Sequence, residues 1–177
     1  VFMAFCADMR RIQRLAKIRG HDHQNNNVDT FMNGVIDAAL AMQSFMCAAE
    51  GAGLGCCPIS QIRNNLPEVS EILNIPPGVF PIAGFSLGWS KFPTPRVSMR
   101  LPQETVVHWE AYDDSDLEAQ TEAHGKRRHA VSPIGPEKQR HTDTYGALDF
   151  CPWSENVVRQ LSRPERPGFS AFLKKHG

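Results

Sequence analysis

The 177-residue chain has the composition of a globular protein, with 41% hydrophobic and 21% charged residues. Its 19 basic and 19 acidic residues cancel, so no overall charge favours nucleic acid or a membrane as a partner. We expect no apolar run long enough to cross a bilayer. The five cysteines are irregularly spaced, which suggests reduced thiols in a cytoplasmic protein rather than a disulfide scaffold.

The first residues predict a strand and then a basic helix. Val1–Ala7 is almost entirely apolar and is typical of a buried strand, and Met9–Lys17 is a basic helical segment. A strand at the very start needs neighbours, so we expect the chain to be the downstream part of a longer protein. His21 and His23 follow in a polar loop. Because no third ligand lies near them, we predict a solvated loop and no metal site.

The stretch Asn27–Glu50 predicts a long helix. Asn27 can cap its start, and an apolar series recurs in steps of four and three, comprising Phe31, Val35, Ala38, Met42, Phe45 and Ala49. Gly51, Gly53 and Gly55 then provide the permissive backbone that ends helices, and we predict a loop from Gly53 to Gln61. Its other sides are also largely apolar, so we expect burial either in the core of a domain or in a helix–helix dimer interface.

The remaining elements predict a mixed α and β chain. Pro67–Asn74 is expected to be a short helix that buries Val69, Ile72 and Leu73, and the apolar run Val79–Gly88 a buried strand. Further predictions are a loop at Lys91–Arg96, an extended segment at Val97–Pro102, a polar helix from Asp113 to about Arg128, and helices at Ser154–Leu161 and Gly168–Lys175. We predict one domain over 1–177, with a surface excursion at about 130–150 and a helical arm at 151–177.

Two glycine motifs indicate chemistry that their surroundings do not favour. Gly84-Phe85-Ser86-Leu87-Gly88 matches the nucleophile elbow of serine hydrolases, but no helix is predicted after it. Gly51-Ala52-Gly53-Leu54-Gly55 is similar to a dinucleotide fingerprint, but it closes a helix instead of opening one, and the carbonyl end of a helix repels phosphate. A serine hydrolase that uses Ser86 is therefore a distant third hypothesis.

Several motifs, in order along the whole chain, resemble one enzyme family. They are Ala48-Ala49-Glu50-Gly51-Ala52-Gly53-Leu54-Gly55-Cys56-Cys57-Pro58-Ile59-Ser60-Gln61-Ile62-Arg63-Asn64-Asn65, Glu71-Ile72-Leu73-Asn74-Ile75-Pro76, Val79-Phe80-Pro81-Ile82, Leu87-Gly88-Trp89, Ser98-Met99-Arg100-Leu101-Pro102 and the closing Arg159–Gly177 segment. The family is that of the nitroreductases, and the closest branch is that of flavin reductases and oxygen-insensitive NADPH nitroreductases.

The resemblance implies a fold, a cofactor and a reaction. It implies an α+β fold, an α/β/α sandwich with a mainly antiparallel sheet, in which the long helix lies at a homodimer interface. The cofactor is FMN, which takes hydride from NADPH or NADH and passes electrons to a nitroaromatic, a quinone or free flavin. No side chain is needed as a nucleophile or base. The partners are then a second copy of the chain and a small-molecule acceptor, with no nucleic acid and no membrane.

The resemblance also implies which residues hold the cofactor. Pro58 and Ile59 match a pair that lies against the flavin ring, and the backbone N–H groups of Ser60 and Gln61 match those that approach N5 and O4. Arg100 matches the arginine that holds the FMN phosphate, a task suited to a permanently charged planar group. Arg127 and Arg128 would either pair with the 2′-phosphate of NADPH or be solvated charges.

Three departures from the family pattern leave a second function open. Ser60 and Gln61 stand where relatives often have two glycines, and Ser98 where many have a lysine. The arginine-containing segment at the start of the family has no counterpart before Val1. The alternative function is therefore a non-catalytic dimeric scaffold that has lost flavin binding.

Overall fold

The structure is a computed structural model that describes residues 1–91 and 97–176. The strands are β1 (Phe2–Asp8), β2 (Gly55–Ile59) and β3 (Val79–Gly88). The helices are α1 (Arg10–Arg19), α2 (Val28–Gly51), α3 (Leu66–Ile72), α4 (Leu117–Val131), α5 (Thr142–Tyr145), α6 (Trp153–Leu161) and α7 (Phe169–His176), with short 3-10 helices at Ser60–Asn65, Gln103–Thr105 and Pro136–Lys138. All of the predicted loop 91–96 except Lys91 lies outside the described residues.

The three strands form one antiparallel sheet in the order β1-β3-β2. β3 is central because it is apolar along its length, and Phe80 and Phe85 are among its buried residues. β1 pairs with it through Phe2 opposite Ser86, with an irregularity between Phe5 and Cys6. The predicted strands at both positions and the α+β class are confirmed.

The long helix α2 packs against this sheet. The Asn27 side chain accepts a hydrogen bond from the Thr30 N–H at 3.0 Å, so the predicted cap is confirmed. Phe45 meets Phe5 and Phe85 at ring-centroid distances of 6.1 and 5.6 Å. These edge and tilted contacts join the helix to β1 and β3.

Burial of α2 on most sides is wrong for the single chain. Only Ala38 and Ala49 are buried, whereas Met32, Ile36 and Leu40 are 54%, 51% and 62% exposed. A three-stranded sheet is too narrow to cover more than one side of a 24-residue helix. Of the two expected locations, a core helix is therefore contradicted, and an interface remains open.

The length and apolar composition of α2 can also be compared with those of a membrane-spanning helix. By length and composition alone α2 could cross a bilayer. The expectation that no apolar run is long enough was therefore wrong. Core helices of soluble proteins have the same length and composition, so this property does not by itself assign the helix to a membrane.

The structure corrects two further predictions, the loop after α2 and the buried side of the next helix, α3. Gly53, at φ +79°, turns the chain after α2, but Gly55 already begins β2, so the predicted loop is partly a strand.

In α3 the buried residues are Leu66 and Ser70, whereas Ile72 is 69% exposed. Leu66 joins the core cluster of Ala7, Met9, Phe80 and Phe172, to which α7 contributes the last ring.

The chain divides into two compact units, Val1–Pro93 with Arg166–Gly177, and Thr94–Glu165. In the second unit, Arg159 is buried and pairs with Glu155 at 2.6 Å while donating to the Gly146 carbonyl at 2.7 Å. The Gln139 amide forms hydrogen bonds with both the carbonyl and the N–H of Leu148, at 2.7 and 2.9 Å. These bonds tie down the segment between α4 and α6.

Candidate functional site

Four of the expected cofactor residues lie at the junction between β2 and the 3-10 helix that follows it. Pro58 and Ile59 end the strand, paired with Phe85 and Gly84 of β3. β2 is an edge strand of the sheet, and proline is tolerated at an edge because its missing N–H removes no bond from an interior ladder. Pro58 is exposed and Ile59 half-buried, so this junction presents a small apolar surface.

Ser60 and Gln61 are the first two residues of the 3-10 helix Ser60–Asn65. The first N–H groups of a helix have no acceptor within it, and the preceding residue, Ile59, has no side chain that could cap them. Both residues are exposed. The junction therefore places two backbone donors directly beside the apolar surface of Pro58 and Ile59, and the donors carry no titrating group.

Sequence reasoning missed how this junction is held in place. Arg63, in the same 3-10 helix, is half-buried and donates from Nη1 to the Ile82 carbonyl of β3. Burial lowers the pKa of Arg63 from its usual value, and the neighbouring charge of Arg166 lowers it further. The bond fixes the helix that carries Ser60 and Gln61 to the middle of the sheet. Its only signal in sequence was the Ile-Arg-Asn-Asn end of the motif.

A groove of about 500 Å³ lies beside Arg63 in the same unit. Across it Arg166 donates from Nε to the Asn64 side chain at 2.9 Å, and Phe169 and Phe172 supply apolar lining. Arg166 has φ +51°, a left-handed conformation that is uncommon for a residue with a side chain. Two arginines thus lie at the second half of the 3-10 helix, Arg63 within it and Arg166 bonded to Asn64.

The other two expected cofactor residues, Ser98 and Arg100, belong to the second compact unit. Both are exposed and lie in a segment without regular secondary structure. The expected cofactor residues are therefore divided between the two units. Within the first unit, the structure brings Pro58, Ile59, Ser60 and Gln61 together.

The nucleophile elbow is not formed. Ser86 lies inside β3 and is paired on both sides, with Phe2 of β1 and Cys57 of β2. A nucleophilic serine of that type needs a sharp turn from a strand into a helix. The serine hydrolase hypothesis is therefore excluded by the position of Ser86 within the sheet.

Comparison with known proteins identifies the family. Residues 3–89 match the model of the nitroreductase family, and residues 98–177 match that of the nitroreductase family C-terminal domain. The chain belongs to the nitroreductase family. The resemblance inferred from its motifs is thereby confirmed.

Known members of the nitroreductase family match almost the whole chain. It is 40% identical over 180 residues to the FMN reductase (NADPH) of Bacillus subtilis (strain 168). The alignment covers 99% of this chain and 68% of that protein. It is 32% identical over 176 residues to the oxygen-insensitive NADPH nitroreductase of Salmonella typhimurium (strain LT2), covering 99% and 67%. The chain thus spans about two thirds of the length of each relative.

Solved structures of the family have the same fold. NfrA1 of B. megaterium superimposes with a TM-score of 0.84 at 30% identity, covering 99% of this chain and 69% of that one. The NADPH:FMN oxidoreductase of Vibrio harveyi complexed with NAD+ superimposes with a TM-score of 0.80 at 27% identity, covering 99% and 66%. The nitroreductase-like fold expected from the motifs is confirmed.

The residues present fit an FMN site of this family. A flat ring needs an apolar surface on one face and hydrogen-bond donors at its polar edge. The β2 junction offers the first through Pro58 and Ile59, and the second through the N–H groups at the start of the 3-10 helix. In the second unit, the exposed Arg100 has a permanently charged side chain of the kind that binds phosphate.

Proposed function

We propose that this nitroreductase-family chain is an FMN-dependent NAD(P)H oxidoreductase that reduces nitroaromatics, quinones or free flavin. The relatives named as NADPH nitroreductase and FMN reductase (NADPH) support this reaction. They also support NADPH as a donor, and NADH is the second donor that we propose. When bound, FMN would supply the redox chemistry, accepting hydride from the nicotinamide and delivering electrons to the acceptor.

The chain's own residues would bind and orient the cofactor. Pro58 and Ile59 would cover one face of the ring, and the N–H groups of Ser60 and Gln61 would donate to its N5 and O4 edge. Such preorganised backbone donors stabilise charge that develops on an electron-rich ring. Ser98 and Arg100 would hold the phosphate, because a guanidinium binds phosphate through two parallel hydrogen bonds.

The observation that supports this proposal most strongly is the strand-to-helix junction. Ser60 and Gln61 differ from the glycines common in the family, but the proposed donors are their backbone N–H groups and not their side chains. Because the helix starts at Ser60, these N–H groups have no acceptor within the helix. The proposed contact therefore depends on the position of the helix start and not on the side chains.

We also propose that the protein is a cytoplasmic homodimer. The exposed stripe of Met32, Ile36 and Leu40 recurs every four residues along α2, so it lies on one side of the helix. An apolar stripe of this length is typical of a protein–protein interface. A second copy of the helix would cover it by the same residues, as in any twofold interface.

Proline at position 60 tests the proposed donor directly. Ser60→Pro removes one backbone N–H at the first position of a helix, where proline is well tolerated. Ile59 before it has φ −128° and ψ 107°, which suits the residue before a proline. We expect FMN affinity, measured by titration of the apo-protein, to fall about tenfold. The reason is that one hydrogen bond usually makes a net contribution of about 1 kcal/mol or somewhat more.

Ser60→Ala is the matched control, because it removes the hydroxyl and keeps the N–H. We expect its FMN affinity to stay close to that of the unaltered chain. Equal losses in both variants would contradict the backbone role. A chain that stays colourless at high FMN concentration would instead support the alternative, a dimeric scaffold without flavin.

A further inference from the structure

The first helix, α1, carries a local positive charge that is not visible in the net charge of the whole chain. Five of its ten residues are basic and none is acidic, although the complete chain has no net charge. The basic residues are Arg10, Arg11, Arg14, Lys17 and Arg19. Among residues 1–91 and 97–176, the only salt bridge of α1 joins Arg11 to Asp8 at 2.9 Å, so most of this charge is not neutralised by an ion pair.

The same helix exposes aliphatic side chains. Ile12, Leu15 and Ile18 are 50%, 46% and 70% exposed, and no residue of α1 is buried. At about 100° per residue, these three side chains fall within an arc of about 120°. Arg11 and Arg19 lie inside that arc, so the exposed side of α1 combines aliphatic and cationic groups.

A groove next to α1 has the same character. It measures about 390 Å³ and is bordered by Arg10, Arg11 and Arg14, and by Asp8, whose carboxylate pairs with Arg11. Leu15 and Ile18 of α1 line it together with Pro76 and Val79. The apolar lining and cationic border would suit a molecule that has an acyl part and an anionic part.

We propose that the exposed side of α1 docks onto an anionic lipid surface. A basic amphipathic helix lies in the plane of a membrane, with its aliphatic side chains at the acyl boundary and its cations among the lipid phosphates. Nucleic acid or an acidic protein would pair with the charges but leave Ile12, Leu15 and Ile18 in water. The aliphatic groups therefore favour lipid.

This inference goes beyond the proposed redox function and does not depend on flavin. It differs from the expectation of no membrane partner, which the family resemblance implied. Docking onto the inner face of a membrane is compatible with a cytoplasmic protein. The long helix α2 has no part in it.

Vesicle co-sedimentation tests the proposal with the full chain. We expect binding to phosphatidylcholine vesicles that contain phosphatidylglycerol, little binding to phosphatidylcholine alone, and weaker binding as salt increases. The double variant Arg14→Gln, Arg19→Gln should lower partitioning roughly 30-fold, since each basic residue near an anionic surface contributes a factor of about five. Leu15→Ser with Ile18→Ser should lower it at least about tenfold through lost apolar contact.

Matched variants elsewhere control for overall charge and polarity. Lys174→Gln with Lys175→Gln makes the same change in charge on α7, and Val158→Ser with Leu161→Ser replaces two exposed aliphatic residues of α6. Neither control should alter vesicle binding. The proposal is overturned if the chain does not bind anionic vesicles, or if the α1 variants bind as well as the controls. It is also overturned if only the charge variant loses binding while duplex DNA binds equally well, a result that would assign α1 to polyanions.

Discussion

Arg100 is the residue whose predicted role is most easily measured. A guanidinium that binds the FMN phosphate makes charge-assisted hydrogen bonds, which contribute about 1.5–3 kcal/mol each. Arg100→Ala should therefore weaken FMN binding by about that amount, as measured by titrating the apo-protein. Arg100→Lys keeps the charge but loses the planar pair of donors, so a smaller loss is expected. Unchanged affinity in Arg100→Ala would remove this residue from the site.

His124 gives the second unit a dependence on pH. Its side chain is 2% exposed and its ring meets that of Trp153 edge-on at 5.6 Å. Burial lowers the pKa of His124 below its usual 6.5, and the charges of Arg127 and Arg128 lower it further. The folded protein therefore holds this imidazole neutral at a pH where the unfolded chain would already protonate it.

The free energy of unfolding should consequently decrease as the pH falls below 6.5. Below that value the unfolded state binds a proton that the folded state does not, so one residue contributes a slope of at most about 1.4 kcal/mol per pH unit. Urea unfolding at a series of pH values measures the slope. His124→Phe, which cannot titrate, should have a shallower dependence between pH 6.5 and the folded pKa. An identical slope in both proteins would contradict the assignment.

At the scale of elements, α2 shows why an apolar helix can be exposed in a single chain. Ala38, Ala49 and Phe45 lie on its sheet-facing side, whereas Met32, Ile36 and Leu40 are each at least half exposed. Periodicity correctly predicted its length and cap. It did not distinguish a core helix from an interface helix, because both have apolar residues on most sides.

Leu40→Asp tests the proposed dimer through α2. Burying an exposed leucine contributes about 1.5–3 kcal/mol, and a twofold interface contains the residue twice. The dimer dissociation constant should therefore rise at least about 100-fold in sedimentation velocity. Leu161→Asp makes the same change at a similarly exposed position of α6 and should leave the dimer intact. A monomeric unaltered chain, or equal behaviour of the two variants, would contradict the interface.

The strand β2 was read as a loop for reasons that lie in its composition. Glycine, cysteine and proline in five residues give no strand periodicity, and proline argues against a central strand. It forms a strand because its partner β3 provides a continuous ladder from Gly84 to Gly88. Its place at the sheet edge is what permits Pro58.

For the whole molecule, the order of the motifs carried more information than any single motif. The family was identified from motifs spread along the sequence, and matches over residues 3–89 and 98–177 confirm it. Overall net charge, by contrast, concealed the basic surface of α1, because an average over 177 residues says nothing about where charges lie. That residues 1–177 form a single domain stays a prediction.

By itself, the sequence determined the family, the two long strands, the span of α2 and its cap at Asn27, because each of these is encoded by residues that are neighbours along the chain or by motifs in fixed order. Only the tertiary structure decided which side of α2 meets the sheet, that Gly55–Ile59 is a strand, and that Arg63 reaches the Ile82 carbonyl. These features depend on pairing between residues far apart in sequence, where a local pattern contains no information about the partner. The junction at Ser60 depends on both the sequence and the tertiary structure. Its residues were expected from the motif, but the absence of intrahelical acceptors for its N–H groups follows from where the helix begins.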